Sequence, residues 1–231
     1  MPDDNTTSSS NNISRLSNRR HFRRLAPTAL NQLQLDAGVI ITKEDFDPVT
    51  SAAISADDIL CATSGGIQVS ATPSMTYLGD DIDNCPSNMM ELTDIESWAC
   101  EMSFTALDVS EDIIKVALGA SSVTSHKIVP NSILTDENFQ SNLWWIGDKS
   151  DGGFIAVHLL NALSTSGFSL QTTKAGKGQL SVTLTGYSSA ADYDESTGEY
   201  EIPIEIYSID SEDAVYTSGG GGGGGATGGG G

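Results

Sequence analysis

The stretch SWACEMSFTAL (residues 97–107) sets apolar side chains at every second position. Successive side chains of an extended chain point to opposite faces, so alternate residues share a face. One face carries Trp98, Cys100, Met102 and Phe104, and the other carries Ala99, Glu101, Ser103 and Thr105. This period of two is typical of a strand with one face in a core and the other in water. The stretch therefore predicts a half-buried β-strand.

Further strands are predicted on both sides of a turn and near the end of the chain. GQLSVTLTG (178–186) and EIPIEIYS (201–208) repeat the alternation. Pro203 has no N–H to donate to a neighbouring strand, which favours an edge position for EIPIEIYS. The apolar runs NLWWIGD (142–148) and GGFIAVHLLNAL (152–163) meet at KSDGG, a turn-rich link that predicts a hairpin.

One segment follows a helical pattern instead. SEDIIKVALGA (110–120) offers Ser110 as the N-cap, acids in the first turn, a buried apolar face, and Gly119 as the stop. We therefore predict a mainly β protein, an antiparallel sandwich or barrel with one helix on its flank.

The chain divides into three regions by composition. Residues 1–32 are rich in Ser, Asn and then Arg, and are expected to form a flexible arm. Residues 217–231 contain eleven glycines among fifteen residues and are expected to be disordered, which leaves 33–216 as the folded domain. Three cysteines without a CxxC pair favour a reduced compartment. No apolar run reaches the roughly 20 residues of a membrane span, and no signal peptide is expected.

The charge is distributed unevenly. Residues 1–24 hold five arginines and two acids, which gives a net charge of +3. The rest of the chain holds six lysines and 29 acids, which gives a net charge of −23, and the two parts sum to −20. An acidic body repels the phosphate backbone, so specific nucleic-acid binding is not expected outside the arm.

The stretch LGDDIDNCPSN (78–88) concentrates carboxylates. An EF-hand frame that starts at Asp81 puts Cys85 at position 5 and Leu92 at position 12, and a frame from Asp80 puts Ile82 at position 3, so both frames fail. A catalytic carboxylate pair stays possible, because such pairs meet in space and not in sequence. Asp, Asn and Pro are ordinary turn residues, so we interpret the stretch as a structural loop.

Other candidate motifs also lack required residues. KAGKG (174–178) lacks the Ser/Thr of a phosphate-binding loop, and LSTSG (163–167) lacks the first glycine of a nucleophile elbow. DYDESTGEY (192–200) imitates a calcium loop but has Pro203 at the position of the bidentate Glu, so we expect a hairpin there, with a weak metal site as the alternative. His126 and His158 are placed in strands, and His158 is expected to be a satisfied core or interface residue. No set of acid, base and nucleophile can be assembled from these residues, and an enzyme is not expected.

Six stretches in this order resemble the major tail, or tail tube, proteins of long-tailed bacteriophages of Gram-positive hosts. The resemblance covers residues 35–209 and is carried by LDAGVIITKEDFDP (35–48), ILCATSGGIQVSATP (59–73), GDDIDNCPSNMMELTDIESW (79–98), LWWIGD (143–148), GGFIAVHLLNALSTSGFSLQT (152–172) and KGQLSVTLTGYSS (177–189). The Arg-rich arm, the acidic stretch 189–201 and the glycine tail depart from the family pattern.

The resemblance implies a β-sandwich with a flanking helix that forms rings, usually hexameric, and stacks them into a tube. Implied partners are further copies of the chain, the tape measure protein, and the tail terminator and distal tail or baseplate proteins. Double-stranded DNA would pass through without specific binding, with no cofactor, metal or membrane. The expected location is the virion tail, assembled in the host cytoplasm. A tube protein of a related contractile or secretion system, and a capsid decoration or adhesin domain, remain alternatives.

Two groups of residues follow as candidate sites. Alternation would point one set at the bore if their strands belong to the inner sheet: Glu101, Ser103, Thr105 and Glu205. The other set is expected at subunit contacts: Asp80, Asp81, Asp83, Arg19, Arg20, Arg23 and Arg24.

Overall fold

The computed structural model describes residues 33–86, 89–172, 174 and 176–215. Its strands are, in chain order, β1 (Val39–Thr42), β2 (Thr63–Tyr77), β3 (Thr93–Ala106), β4 (Ser121–Thr124), β5 (Lys127–Pro130), β6 (Leu143–Asp148), β7 (Phe154–Leu159), β8 (Leu163–Ser164), β9 (Leu170–Gln171), β10 (Gln179–Thr185), β11 (Tyr193–Asp194), β12 (Glu199–Tyr200) and β13 (Ile204–Ile209). The helix α1 spans Glu111–Leu118, and short 3-10 turns span Ala56–Asp58, Met90–Leu92, Asp136–Asn138 and Ala190–Asp192.

Two antiparallel sheets form a sandwich. The first sheet has the strand order β1-β6-β7-β13, and the second has the order β2-β3-β10-β8, with β9 also paired to β10. All these pairings are antiparallel. The prediction of a mainly β antiparallel sandwich with a flanking helix is confirmed.

The local predictions for the first sheet also hold. The link KSDGG joins β6 to β7 as a hairpin, with Lys149 N donating to Gly153 O. Strand β13 lies at an edge and begins directly after Pro203. Its Ile206 is 61% exposed, because an edge strand has no neighbour on its outer side.

Helix α1 begins and ends where the sequence predicts. The Ser110 hydroxyl accepts a hydrogen bond from Ile113 N, and Gly119 adopts a φ of 68° just after the last turn. Ile113, Val116 and Ala117 are buried, and Ser164 donates to the carbonyl of Ala117, which ties the helix to β8.

The main core fills the space between the sheets. In the second sheet, Met102 pairs with Leu184 and Phe104 with Val182, and all four side chains are buried. The residues of this cluster are Ile40, Leu60, Cys61, Cys100, Met102, Phe104, Ala106, Ile113, Val116, Ala117, Leu143, Leu159, Ala162, Leu180, Val182 and Leu184. The face predicted from Trp98 to Phe104 is thus the core face.

A second, smaller core covers the outer face of the first sheet. It contains Ile41, Phe46, Ala52, Trp144, Ile146, Phe154 and Ala156. Phe46 and Ala52 come from the loop between β1 and β2, and the Phe46 ring meets Trp144 edge-on at 4.9 Å between ring centroids. The first sheet is therefore covered on both faces, whereas the outer face of the second sheet carries no such cluster among the described residues.

The β2–β3 hairpin is longer than the sandwich. Pairing of β3 with β10 stops at Glu101, while pairing with β2 continues to Thr93. Two register shifts interrupt the hairpin, one between Ser64 and Ile67 and one opposite Glu96. The second shift reverses the alternation, so that Ile95 lies on the same side as Trp98.

One positional prediction is wrong. His126 lies in the turn between β4 and β5 and has a φ of 66°, because residues 125 and 126 reverse the chain there.

The prediction that DYDESTGEY forms a hairpin is confirmed by the pairing of β11 with β12. Within the described ranges, no helix combines the length and apolar character needed to cross a membrane.

Candidate functional site

The outer face of β2, β3 and β10 in the second sheet is lined mainly by hydroxyl and amide side chains. Cross-strand partners in an antiparallel sheet point to the same side, so the register defines this face. Its residues, called here the polar face, are Ser64, Gln68, Ser70, Glu101, Ser103, Thr105, Ser181, Thr183 and Thr185. Glu101 is exposed and is the one ionisable side chain of the nine. The predicted candidates Glu101, Ser103 and Thr105 therefore lie together on a single exposed surface.

The chemistry of the polar face is that of a weakly acidic wall. Hydroxyl groups can bond to water in either direction, and Glu101 repels anions. The nine residues include no His, Cys or Lys. Such a surface can exclude an anionic polymer but offers it no cationic contact.

Both edges of the second sheet are open for much of their length. Among the described residues, β2 pairs at one edge with β3 alone, and the side of β10 away from β3 pairs only with the two-residue strands β8 and β9. Pro73 lies in β2, within an unbroken register from Ile67 to Ser74. Proline has no N–H to donate to β3, so the nitrogen of Pro73 faces the edge of β2 that is away from β3. Backbone groups of alternate residues in a strand point to the same edge, so the N–H groups of Ala71 and Val69 face that edge as well. The edge thus presents unpaired donors to solvent.

The predicted aspartate loop forms the tip of the long hairpin. Asp80, Asp81 and Asp83 are all exposed. The backbone turns through short bonds, such as Ile82 N to Gly79 O at 3.2 Å and Cys85 N to Ile82 O at 3.1 Å. The described part of the chain contains no cluster of three or more His, Cys, Asp or Glu side chains arranged for a metal. The interpretation as a loop that joins two strands is confirmed; its role in subunit contacts stays a prediction.

Glu205 does not share a surface with Glu101, which differs from the prediction that both residues line the bore. Glu101 belongs to the second sheet and Glu205 to the first, and each points away from the core between them. One inner sheet cannot present both glutamates, so at most one of them can line a bore, and the assignment of either residue to the bore stays a prediction. Period-two alternation identifies the face of a strand but not the sheet that the strand joins.

Glu205 instead belongs to a hydrogen-bonded cluster on the first sheet. Its Oε2 lies 3.2 Å from His158 Nδ1 and accepts a bond from the Tyr207 hydroxyl at 3.1 Å. The imidazole stacks on Trp144 at 4.0 Å, and its Nε2 is 2.8 Å from Ser141 O. Burial, followed by the bond to Glu205, raises the pKa of Tyr207. The expectation that His158 is a satisfied residue is confirmed by its hydrogen bonds, and its side chain is half-buried.

Lys149 is a buried charge that the sequence did not indicate. Its side chain is 6% exposed, and Nζ lies 2.5 Å from Asp210 Oδ1 and 3.4 Å from Ser208 Oγ. The only sequence signal is a lysine within a turn, which ordinarily predicts exposure. The pair fixes the end of β13 against the β6–β7 turn.

The same turn holds the first described residues of the chain. Ser150 N donates to Leu33 O at 2.8 Å, and Leu35 N donates to Asp148 O at 2.7 Å. The chain therefore enters the fold at the end of the first sheet where β6 ends. The other predicted contact residues, Arg19, Arg20, Arg23 and Arg24, lie outside the described residues.

The cysteines are free thiols. Cys61 and Cys100 are buried and Cys85 is half-buried. Burial, with a smaller contribution from Asp108, raises the pKa of Cys61 to about 11, and burial also raises the pKa of Cys100. A high pKa keeps a thiol protonated and unreactive at neutral pH.

Comparison of the chain with protein-family models and with curated proteins found no match.

Proposed function

We propose that this chain is the building block of a phage tail tube, forming closed rings that stack into a conduit for DNA. The observation that carries the proposal is the second sheet, which combines a polar, weakly acidic outer face with two open edges. Joining the open edges of neighbouring copies would satisfy the unpaired donors and close a barrel without edges. The polar face would then line the bore.

The strand count is consistent with a bore of useful width. Four strands per copy, β2, β3, β10 and β8, would give about 24 strands in a ring of about six copies. At about 4.8 Å between strands and a tilt of about 40°, the circumference is about 150 Å and the backbone diameter about 48 Å. Side chains that extend about 5 Å from each wall leave about 38 Å, enough for a DNA duplex.

The two faces of the sandwich differ in a way that favours this orientation. The outer side of the first sheet is partly covered by Phe46 and Ala52, which pack on its apolar residues. On the second sheet Glu101 would form one ring of negative charge per layer of subunits. A wall with such rings repels phosphate and lets DNA slide. Within this proposal Glu101, Ser103 and Thr105 line the bore and Glu205 does not.

The proposed partners are those of a tail: neighbouring copies, a tape measure protein in the bore during assembly, and terminator and baseplate proteins at the two ends. The proposed location is the virion. The chain would act as a structural protein, with no catalytic step and no cofactor.

A single edge substitution tests the proposal. Ala71→Pro removes a donor that faces the open side of β2 while leaving the β2–β3 ladder its bonds. The full-length wild-type protein should form rings or tubes visible by negative-stain electron microscopy, and Ala71→Pro should remain a folded monomer. Ala71→Ser, which keeps the N–H, is the matched control and should form rings.

Two results would contradict the proposal. The first is a wild-type protein that stays monomeric by light scattering at high concentration and shows no rings. The second is an Ala71→Pro variant that assembles as well as Ala71→Ser. A glycan-binding monomer would support the decoration or adhesin alternative.

A further inference from the structure

An open groove lies where the long hairpin leaves the sandwich. Its lining includes the apolar side chains of Ile95, Trp98, Tyr200 and Ile202, and its volume is about 620 Å³. Ile95 is 47% exposed, Tyr200 58% and Ile202 43%. These side chains remain in water in the single chain, so the groove has apolar surface that a ligand could bury.

The groove is also lined by acidic side chains, which we call the rim carboxylates. Asp94, Glu96, Glu199 and Glu201 all line it and are exposed. None of the residues that line the groove is a lysine or arginine. Within the described residues no salt bridge involves these four carboxylates, and the ion-paired lysines are Lys43 and Lys149. The groove thus favours a ligand that is both apolar and cationic.

The chain itself contains a segment of that composition. All five of its arginines fall between Arg15 and Arg24, interleaved with Leu16 and Phe22. This basic segment lies outside the described residues. Arg24 stands nine residues before Leu33, a distance that an extended chain can bridge over about 30 Å.

The groove and the entry point of the chain lie at opposite ends of the sandwich. Leu33 is bonded to the turn after β6, next to Asp148. The groove adjoins Pro203, and the carbonyl of Pro203 accepts a hydrogen bond from Leu160 N. Leu160 follows the last residue of β7, at the end of that strand away from the β6–β7 turn. In a head-to-tail stack, the end at which the chain enters one copy would face the end that carries the groove of the next copy.

We propose that this groove binds the basic segment, residues 13–25, of the adjacent copy along the tube. Apolar side chains of the segment would lie on Ile95 and Ile202, and its guanidinium groups would pair with the rim carboxylates. The inference rests on the proposed stacking and names the contact that couples successive rings.

A binding measurement tests the groove directly. The probe is a fluorescent synthetic peptide of residues 13–30, and the protein is the full chain with Arg19, Arg20, Arg23 and Arg24 replaced by Ser so that its own segment does not compete. Adding Glu199→Lys and Glu201→Lys should weaken peptide binding, measured by fluorescence anisotropy, by about tenfold or more. The control, Glu137→Lys with Glu212→Lys, makes the same change in net charge at exposed positions outside the groove and should leave binding within about twofold. Equal weakening by both pairs, or by neither, would overturn the proposal.

A mixing experiment tests whether the contact joins different copies. Rings with the neutralised segment keep an intact groove, and rings with Glu199→Lys and Glu201→Lys keep an intact segment. Each should stack poorly alone, whereas their mixture should give paired rings by electron microscopy. Mixtures that stack no better than the separate variants would refute contact between copies. Absence of rings from the wild-type protein would instead refute the proposed function, so the two failures are distinguishable.

Discussion

The ion pair between Lys149 and Asp210 allows a prediction with an asymmetric outcome. The Lys149 side chain is 6% exposed, whereas the Asp210 side chain is 56% exposed. Replacing Asp210 by Asn leaves a buried ammonium group with only neutral acceptors, among them Ser208 Oγ at 3.4 Å. Replacing Lys149 by Met removes the buried charge and leaves a carboxylate that water already solvates.

The expected magnitudes follow from these exposures. Breaking a fully buried pair costs about 3–5 kcal/mol, and the exposure of Asp210 reduces this to about 2 kcal/mol for Asp210→Asn. Lys149→Met should change the free energy of unfolding by less than about 1 kcal/mol, because an apolar side chain of similar volume needs no desolvation.

Urea unfolding of the full-length protein at pH 7, followed by tryptophan fluorescence, measures both values. Trp144 and Trp145 lie on β6, close to the pair in sequence, and so report on this end of the sheet. Asp213→Asn, an exposed neighbour, serves as the control. If Lys149→Met destabilises the protein as much as Asp210→Asn, the reasoning about desolvation is wrong.

Three further predictions follow from burial, close packing and charge. In the native protein at pH 7–9 a thiol reagent should label Cys85 alone, because Cys61 and Cys100 are buried and the pKa of Cys61 is raised to about 11. Mass spectrometry should show three labels only after denaturation. Rapid labelling of Cys61 in the native protein would contradict the fold. Gly153→Ala places a Cβ 2.2 Å from Ile209 O and should lower stability in urea unfolding by about 1–3 kcal/mol, whereas Gly178→Ala, with no contact closer than 3.6 Å, should be neutral. Glu101→Lys should leave stability within about 0.5 kcal/mol; under the proposed tail tube function it should also allow tubes to form but slow DNA ejection from assembled particles relative to Glu137→Lys. Unchanged ejection kinetics would show that Glu101 does not line the path.

Local sequence determined the structure wherever the signal lies within a few residues. Alternation from Trp98 to Phe104 assigned the core face of β3, since successive side chains of a strand must point to opposite sides. Ser110 and Gly119 bounded the helix, because each satisfies backbone groups of the adjoining turn. Pro203 indicated an edge, because a residue without an N–H leaves a gap in any central ladder.

Pairing between distant segments was decided only in the tertiary structure. Glu101 and Glu205 lie in strands with the same alternation, yet one strand joins β10 and the other joins β7. The register shift opposite Glu96 reversed the faces beyond it and brought Ile95 to the same side as Trp98. The loop that carries Phe46 covered one sheet and left the other open. Periodicity gives the direction of a side chain relative to its own strand, whereas these features depend on which distant surfaces bury the most apolar area together, a property of the whole chain.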